Sequence, residues 1–470
     1  MTGRVVVVGA GPVGLATAML LARDGYEVTV FEKDAQAPPA TAEAAWERWE
    51  RTGVAQFRGP HFMLPRFRHV LDAEFPVVRN QIVASGGRRM SFVVPPLPGD
   101  RSPRRSDERF ETVTGRRPVI ESAFAHVAAD TAGVTIVRGV GVERPVTGQS
   151  VRPGIPHVSG VRTTTGREFA ADLVIDAMGR RSKLCDWVTG VGGQPPHEEV
   201  SDAGFAYYGR YYRSLDGTMP EVCGPLATAV GTIGVITLPA DNNTWAVGFQ
   251  TMAGDWPLKA LRHNDIWERV ARSIPHVAHW TDGVPLTDVV PNAGVMDRYR
   301  RMLIGNQPVV TGLVAVGDAS AATNPVAGRG MSLGLAHAVA LRDAVRKSPD
   351  DPYRLAEAFD RVTDETITPF YREQVEADHQ RGAQVQATID GTPLPVPVAD
   401  PARPTRATFL AAASHDQDVT LAFFEITCCL TTPADVMRRP GMREKIAAFV
   451  GTAPPPIPGP TRSELLALVG

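Results

Sequence analysis

The chain opens with four consecutive valines at 5–8, then three closely spaced glycines, an Ala/Leu-rich run to Arg23, Gly25, and a second apolar run at 28–31. A short apolar run bounded by glycine predicts a buried strand, and the Ala/Leu run predicts a helix that Gly25 stops. A βαβ unit over about 3–34 follows. From about 36 to 104 the pattern is irregular, with scattered Pro, Arg and aromatic positions, and predicts connecting segments and ligand-covering loops. Helical spacing resumes at 118–129, where Val119, Ile120, Phe124 and Val127 share one stripe, and Gly133 precedes a strand at 134–137. Thr165 and Gly166 predict a turn ahead of a buried strand at 173–175.

Between about 195 and 302 the pattern changes to strands, predicted at 205–213, at 228–238 and, after an Asn242-Asn243 turn, at 245–249. A period of two along 205–213 puts Tyr208, Arg210 and Tyr212 on one face, opposite Tyr207, Tyr211 and Arg213. The first trio is the candidate substrate face; an aromatic sheet core is the competing reading. A buried strand at 313–316 and a helix at 331–346 follow, then mostly helices, interrupted by Pro-rich connectors at 392–404 and 454–460. The expected fold is α/β: a Rossmann-like nucleotide-binding domain over 1–190 and 303–350, an inserted antiparallel β-sheet substrate domain over 191–302, and a helical C-terminal region over 351–470.

At 470 residues the chain exceeds what one hydrophobic core usually serves, so burying a large cofactor between domains is feasible. A net charge of -2 supplies no field that would gather nucleic acid. Cys185, Cys223, Cys428 and Cys429 form neither a disulfide framework nor a spaced metal site, and the adjacent pair is expected in the core. No metal is expected. No apolar stretch reaches the roughly 18 residues of a membrane span, no secretory signal is visible, and a cytoplasmic location is the expectation.

Three separated motifs carry candidate chemistry. The first is Gly9-Ala10-Gly11-Pro12-Val13-Gly14, directly after the 5–8 run, with Glu32 and Lys33 closing the next strand. The first glycine permits a tight turn, the second lets a pyrophosphate approach the backbone, and the third lets helix and strand pack closely. The pyrophosphate then sits at a helix N-terminus, and Glu32 can accept hydrogen bonds from a ribose. The second is Gly317-Asp318, followed by Asn324-Pro325 and Gly328-Arg329-Gly330-Met331. A strand ending in Gly-Asp offers a carboxylate to a ribityl hydroxyl, and a glycine-rich helix start presents N–H groups to the electron-rich edge of a flavin. The third lies between them at 172–182, around Asp176, Gly179 and Arg180.

These residues resemble the FAD-dependent monooxygenase family of the aromatic-hydroxylase type, with the motifs in the family's order from Arg4 to about Arg346. The resemblance implies non-covalent FAD and a monooxygenase activity. It implies for 172–182 the Asp-Gly segment near FAD and the reduced nicotinamide, although Ala177 and Met178 stand where many members have Gly directly after Asp. Arg117-Pro118-Val119-Ile120-Glu121 resembles the family's Arg-x-x-Leu-Glu helix start, whose arginine contacts FAD. The 46–56 segment and the Tyr/Arg pattern at 207–213 resemble a bacterial branch of natural-product hydroxylases and epoxidases.

In such proteins the flavin carries the oxygen chemistry while the protein orients substrate and excludes water, so no catalytic side chain is assigned. His61 reads as a hydrogen-bonded loop histidine or as a proton shuttle. The expected reductant is NADPH or NADH, directly or through a partner flavin reductase, because no second glycine-rich nucleotide motif is visible. The expected partner is a small organic substrate. A reductase or dehydrogenase of the isoprenoid-saturating kind and a non-catalytic FAD-binding protein are the alternatives; a halogenase is disfavoured because its Trp-x-Trp-x-Ile-Pro segment is absent.

Overall fold

Four valines in a row can all be buried only where both faces of a strand are covered. In the computed structural model, which describes residues 3–54, 56–93, 105–394 and 404–470, Arg4–Val8 is the middle strand of a five-stranded parallel sheet. The order is Leu313–Ala315, Leu173–Asp176, Arg4–Val8, Glu27–Glu32, Val134–Arg138. Val5 and Val7 pack with Leu15, Leu20, Ile120, Phe124, Leu335 and Leu341 of the helices on one face. Val6 and Val8 pack with Phe31, Val174, Leu184 and Trp187 on the other. The helix Pro12–Arg23 lies against both Gly330–Lys347 and Arg117–Ala129, so the first and last parts of the nucleotide domain share one core.

The second sheet is antiparallel, in the order Ala227–Val230, Ile233–Pro239, Thr244–Met252, Phe205–Arg213, with Val284–Pro285 and Val290–Ala293 added to the last strand. Asn242 and Asn243 make the expected turn with φ of 49° and 53°, the left-handed region that asparagine tolerates. The segment 228–238 is two strands rather than one, because Gly231, at φ 53°, turns the chain back on itself. One face of this sheet packs on Asn264–Arg272 and on the C-terminal helix Arg462–Val469, which returns to the sheet domain.

The 36–104 segment is not all loop. It contains the helices Ala42–Arg48, Pro65–Glu74 and Pro76–Ala84, each with a local start signal: a Thr41 side-chain cap, or proline in the first turn. Phe67, Leu71, Val78 and Ile82 enter the main core, so tertiary burial supports helices too short for a clear periodicity. Residues 395–403 of the expected 392–404 connector lie outside the described residues, and 454–460 contains neither helix nor strand. Cys428 and Cys429 are buried and free. Among the described residues no helix is long and apolar enough to cross a membrane, and no group of three or more His, Cys, Asp or Glu side chains is suited to a metal ion.

Candidate cofactor and substrate site

Because Arg4–Val8, Leu173–Asp176 and Leu313–Ala315 are adjacent and parallel, the segments that follow them emerge side by side. All three motifs therefore converge at one edge of the sheet. Gly9 has φ 109°, and a Cβ there would stand 2.7 Å from the Ala177 carbonyl; a Cβ on Gly14 would stand 2.1 Å from the Gly9 carbonyl. Neither position admits a side chain. A Cβ on Gly11, by contrast, meets nothing within 4 Å. The helix Pro12–Arg23 starts there with no side-chain cap and no acidic residue in its first turn, which leaves its N–H groups open to an anion. Val13 packs against Gly317 and Gly334, where a Cβ would come within 3.1 and 2.5 Å of it, and so locks the first motif to the second. Asp318 lies beside Gly179 and Gly330 and pairs with Arg180 at 3.5 Å.

Asp176 closes the middle motif on itself. Its carboxylate accepts from the Met178 N–H at 2.9 Å and the Ser182 hydroxyl at 2.5 Å, and burial raises its pKa to about 6.

Glu32 is buried at the end of its strand. Its Oε2 accepts from the Ala10 N–H at 2.9 Å and from Arg51 at 2.8 Å, and its Oε1 from the Asp34 N–H at 3.0 Å. Oε1 thus keeps room for a further donor, as a ribose hydroxyl requires. Arg51 was not singled out from the sequence. Its buried guanidinium also bonds Asp34 at 3.1 Å and Glu121 at 2.8 Å, three carboxylates around one cation. Arg117 meets this network at its far end, donating to Glu121 at 2.6 Å and facing His61 Nε2 at 3.3 Å. Lys33 is exposed and lies over Gly53. His61 Nδ1 stands 2.9 Å from the Gly59 carbonyl, and burial together with Arg117 lowers its pKa to about 4. This is a neutral, hydrogen-bonded loop histidine.

The alternation in Phe205–Arg213 holds, and the face that carries Tyr208, Arg210 and Tyr212 is the one covered by the sheet's own helices. Tyr208 and Tyr212 are buried in the sheet-domain core with Trp245, Phe249 and Trp267, Tyr212 stacking on Trp245 at 6.2 Å. Arg210 bonds the Thr287 carbonyl at 2.9 Å and pairs with Glu268 at 3.5 Å. A period of two separates the faces without saying which is covered; the Asn264–Arg272 helix decides that. It is Tyr207 that meets the second motif, donating its hydroxyl to Asn324 Oδ1, with Gln250 donating to it at 3.4 Å. Tyr211, on the same face, donates to the Gly59 carbonyl at 3.2 Å and meets Trp46 edge-on at 4.9 Å. Pro60 covers Gly209 so closely that a Cβ would come within 2.4 Å of its ring.

Beside Asn324, Pro325–Ala327 forms a short 3-10 turn capped by the Asn324 side chain, Gly328 follows at φ 66°, and Gly330 opens an uncapped helix with Met331 in its first turn. An apolar cluster beside this segment joins distant parts of the chain: Trp46, Phe62 and Leu64, Leu238 and Ala246 of the sheet, and Leu333 and Phe370 of the later helices.

A family profile described as FAD dependent oxidoreductase matches residues 4–79. Over 402 residues the chain is 28% identical to Protein Rv3254 of Mycobacterium tuberculosis (strain ATCC 25618 / H37Rv), spanning 79% of this chain and 80% of that protein. Among solved structures, PqsL, a probable FAD-dependent monooxygenase from Pseudomonas aeruginosa, matches with a TM-score of 0.59 at 16% identity over 82% of this chain and 96% of its own. The flavin-dependent brominase Bmp2 matches with a TM-score of 0.60 at 14% identity over 96% and 99%. Residues 4–79 thus match a profile of FAD dependent oxidoreductases, and the chain as a whole shares its fold with PqsL and Bmp2.

Proposed function

We propose that the protein is an FAD-dependent monooxygenase that hydroxylates or epoxidises a small, largely apolar organic substrate, in bacterial secondary metabolism. One atom of dioxygen enters the product and the other leaves as water, with a hydride supplied by NADPH or NADH, directly or through a partner flavin reductase, and one further proton taken from solvent. The carrying observation is the apolar cluster roofed by the Tyr207 face of the sheet and bordered by the Asn324–Gly330 segment of the second motif.

The cradle residues fit FAD in order. Gly9, Gly11, Pro12, Val13 and Gly14 would hold the pyrophosphate, Glu32 the ribose and Asp318 the ribityl chain, while the backbone N–H groups of Gly328, Gly330 and Met331 would meet the ring. Bound FAD supplies the oxygen-activating chemistry. The chain's own part is to orient and to exclude water. Trp46, Phe62, Leu64 and Phe370 form a packed apolar wall, which would exclude water from a substrate bound against it and strengthen the polar contacts made there.

Turnover under labelled dioxygen tests the reading. One labelled atom in the product supports it, and a product oxidised or reduced without label assigns the protein to the dehydrogenase or reductase alternative. A colourless protein that takes up no FAD removes both.

A further inference from the structure

Asp297, at the start of the strand Asp297–Arg301, and Asp378, on the helix Thr368–Asp390, are 1% and 4% exposed. Both meet at Asn324. Asp297 Oδ1 accepts the Asn324 N–H at 2.5 Å, Asp378 Oδ1 accepts from Gln374 at 2.8 Å, and the Asn324 side chain faces Asp378. The second oxygen of each carboxyl, Oδ2, is buried without any hydrogen-bond partner.

A buried carboxylate oxygen left without a donor costs free energy, and two carboxyls near each other add repulsion. The chain's own cations relieve it only in part, Arg329 acting on Asp378 and Arg180 and His379 on Asp297 from a distance, because each is bonded elsewhere. Arg329 is engaged by Glu373 and the Phe370 carbonyl, and Arg180 by the Met296 and Thr323 carbonyls and Asp318. Arg406 pairs with Glu373, and His379 bonds Ser201. Tyr207 spends its proton on Asn324. No group of three metal-ligating side chains is present among the described residues, which makes an organic cation the better-matched ligand.

We infer that Asp297 and Asp378, brought together at Asn324, bind the protonated amino group of a substrate whose apolar body lies in the adjoining cluster. The apolar cluster reaches this point through Ala321, paired with Tyr299 on the Asp297 strand, and through Leu333 and Phe370. Asn324 leads directly into Pro325, Gly328 and Gly330, so the amino group is held beside the segment that faces the flavin ring. The inference rests on the reading of this chamber as the substrate site. Burial and the neighbouring Asp297 raise the Asp378 pKa to about 7, so an ammonium entering at neutral pH displaces a proton that the pair otherwise holds.

The test uses full-length, FAD-loaded protein and three probes of one skeleton: tryptamine, tryptophol and indole-3-propionate, with dissociation constants read from perturbation of the flavin absorbance. At pH 7 tryptamine is expected to bind at least about 10-fold more tightly than tryptophol, and indole-3-propionate least tightly. Asp378→Asn reduces the amine preference to within about threefold while FAD content and tryptophol affinity stay unchanged, and Asp378→Glu restores part of it. Equal binding of the amine and the alcohol, no binding of any probe, or a preference that survives Asp378→Asn overturns the inference. Amine selectivity without label from dioxygen in turnover removes the monooxygenase reading and leaves the site standing; label incorporation with indifference to the amine does the reverse.

Discussion

Arg116 and Asp241 form a bidentate ion pair in which neither side chain touches solvent, with Nε to both carboxylate oxygens at 3.1 Å and Nη2 to Oδ2 at 2.6 Å. The Arg116 backbone N–H adds a fourth bond to the same carboxylate at 2.6 Å. Arg116 caps the helix that begins with Arg117, and Asp241 sits in the turn between two strands of the second sheet, so this pair ties the two domains together. Glu43 and the Trp46 ring complete the surround. Removing one partner of such a pair strands a buried charge. Arg116→Met and Asp241→Asn are each expected to lower stability by about 3–5 kcal/mol, read by chemical denaturation. An effect below about 1 kcal/mol would show that the pair is not the tie between domains.

The cradle makes a second expectation. Glu32→Ala removes a charged acceptor from the proposed ribose position and is expected to weaken FAD binding roughly 10-fold to 100-fold, and Asp318→Ala to weaken it as well. Fluorescence of flavin released on ultrafiltration gives both constants. Arg51→Met separates cradle from scaffold, since it leaves Glu32 and Asp34 buried without their cation and Glu121 with Arg117 alone, and is expected to lower the melting temperature of the FAD-free protein too. Retention of wild-type affinity by both Glu32→Ala and Asp318→Ala would place the cofactor elsewhere.

How much of this was legible in the sequence differs by kind of contact. The first motif was readable because strand, glycine turn, helix and acid are all local, and each glycine has a steric reason. The network around Arg51 was not, because its partners Glu32, Asp34 and Glu121 come from a strand end and a distant helix, and nothing in the 46–56 run marks one arginine as buried. The Tyr207 face was half readable: alternation gave the two sets of side chains, and only the packing of Trp267 against Phe249 shows which set is interior. Asp378 carried no signal at all, since a lone aspartate on a polar-looking helix reads as solvated until Asn324 and Asp297 are placed beside it.

The environments of the two faces of Phe205–Arg213 can be checked without knowing the substrate. Tyr212 is buried and its hydroxyl has no partner, so Tyr212→Phe is expected to leave stability unchanged or to raise it by up to about 1 kcal/mol, with the flavin spectrum unaltered. Tyr207→Phe instead releases Asn324 from its hydroxyl donor and is expected to alter the visible flavin band. The opposite pattern would return the substrate face to Tyr208, Arg210 and Tyr212.

His337 supplies the pH dependence. It is fully buried on the helix Gly330–Lys347, stacked on Phe359 at 4.6 Å, with Nδ1 accepting the Gly317 N–H at 3.2 Å and Nε2 2.8 Å from the Thr363 hydroxyl. Thr363 already donates to the Phe359 carbonyl, so the imidazole must be the neutral tautomer with its proton on Nε2. Burial lowers its pKa from 6.5 to about 3. Below pH 6.5 the unfolded chain takes up a proton that the native protein refuses, so this residue's contribution to stability is lost as pH falls, by at most about 1.4 kcal/mol per pH unit. His61, lowered to about 4, acts in the same direction. Asp176 and Asp378, raised to about 6 and about 7, act in the other: the native protein keeps a proton that the unfolded chain has released, and their contribution is lost as pH rises. The wild-type profile therefore mixes opposing slopes, and a variant is needed to isolate one. His337→Asn retains an acceptor for the Gly317 N–H but cannot take up a proton. Between pH 6.5 and 4.5 it is expected to lose less stability than the wild type, so that the two melting curves approach each other on acidification. Parallel curves would mean that His337 is protonated in the native protein and that the Gly317 N–H, beside Asp318, is held by something else.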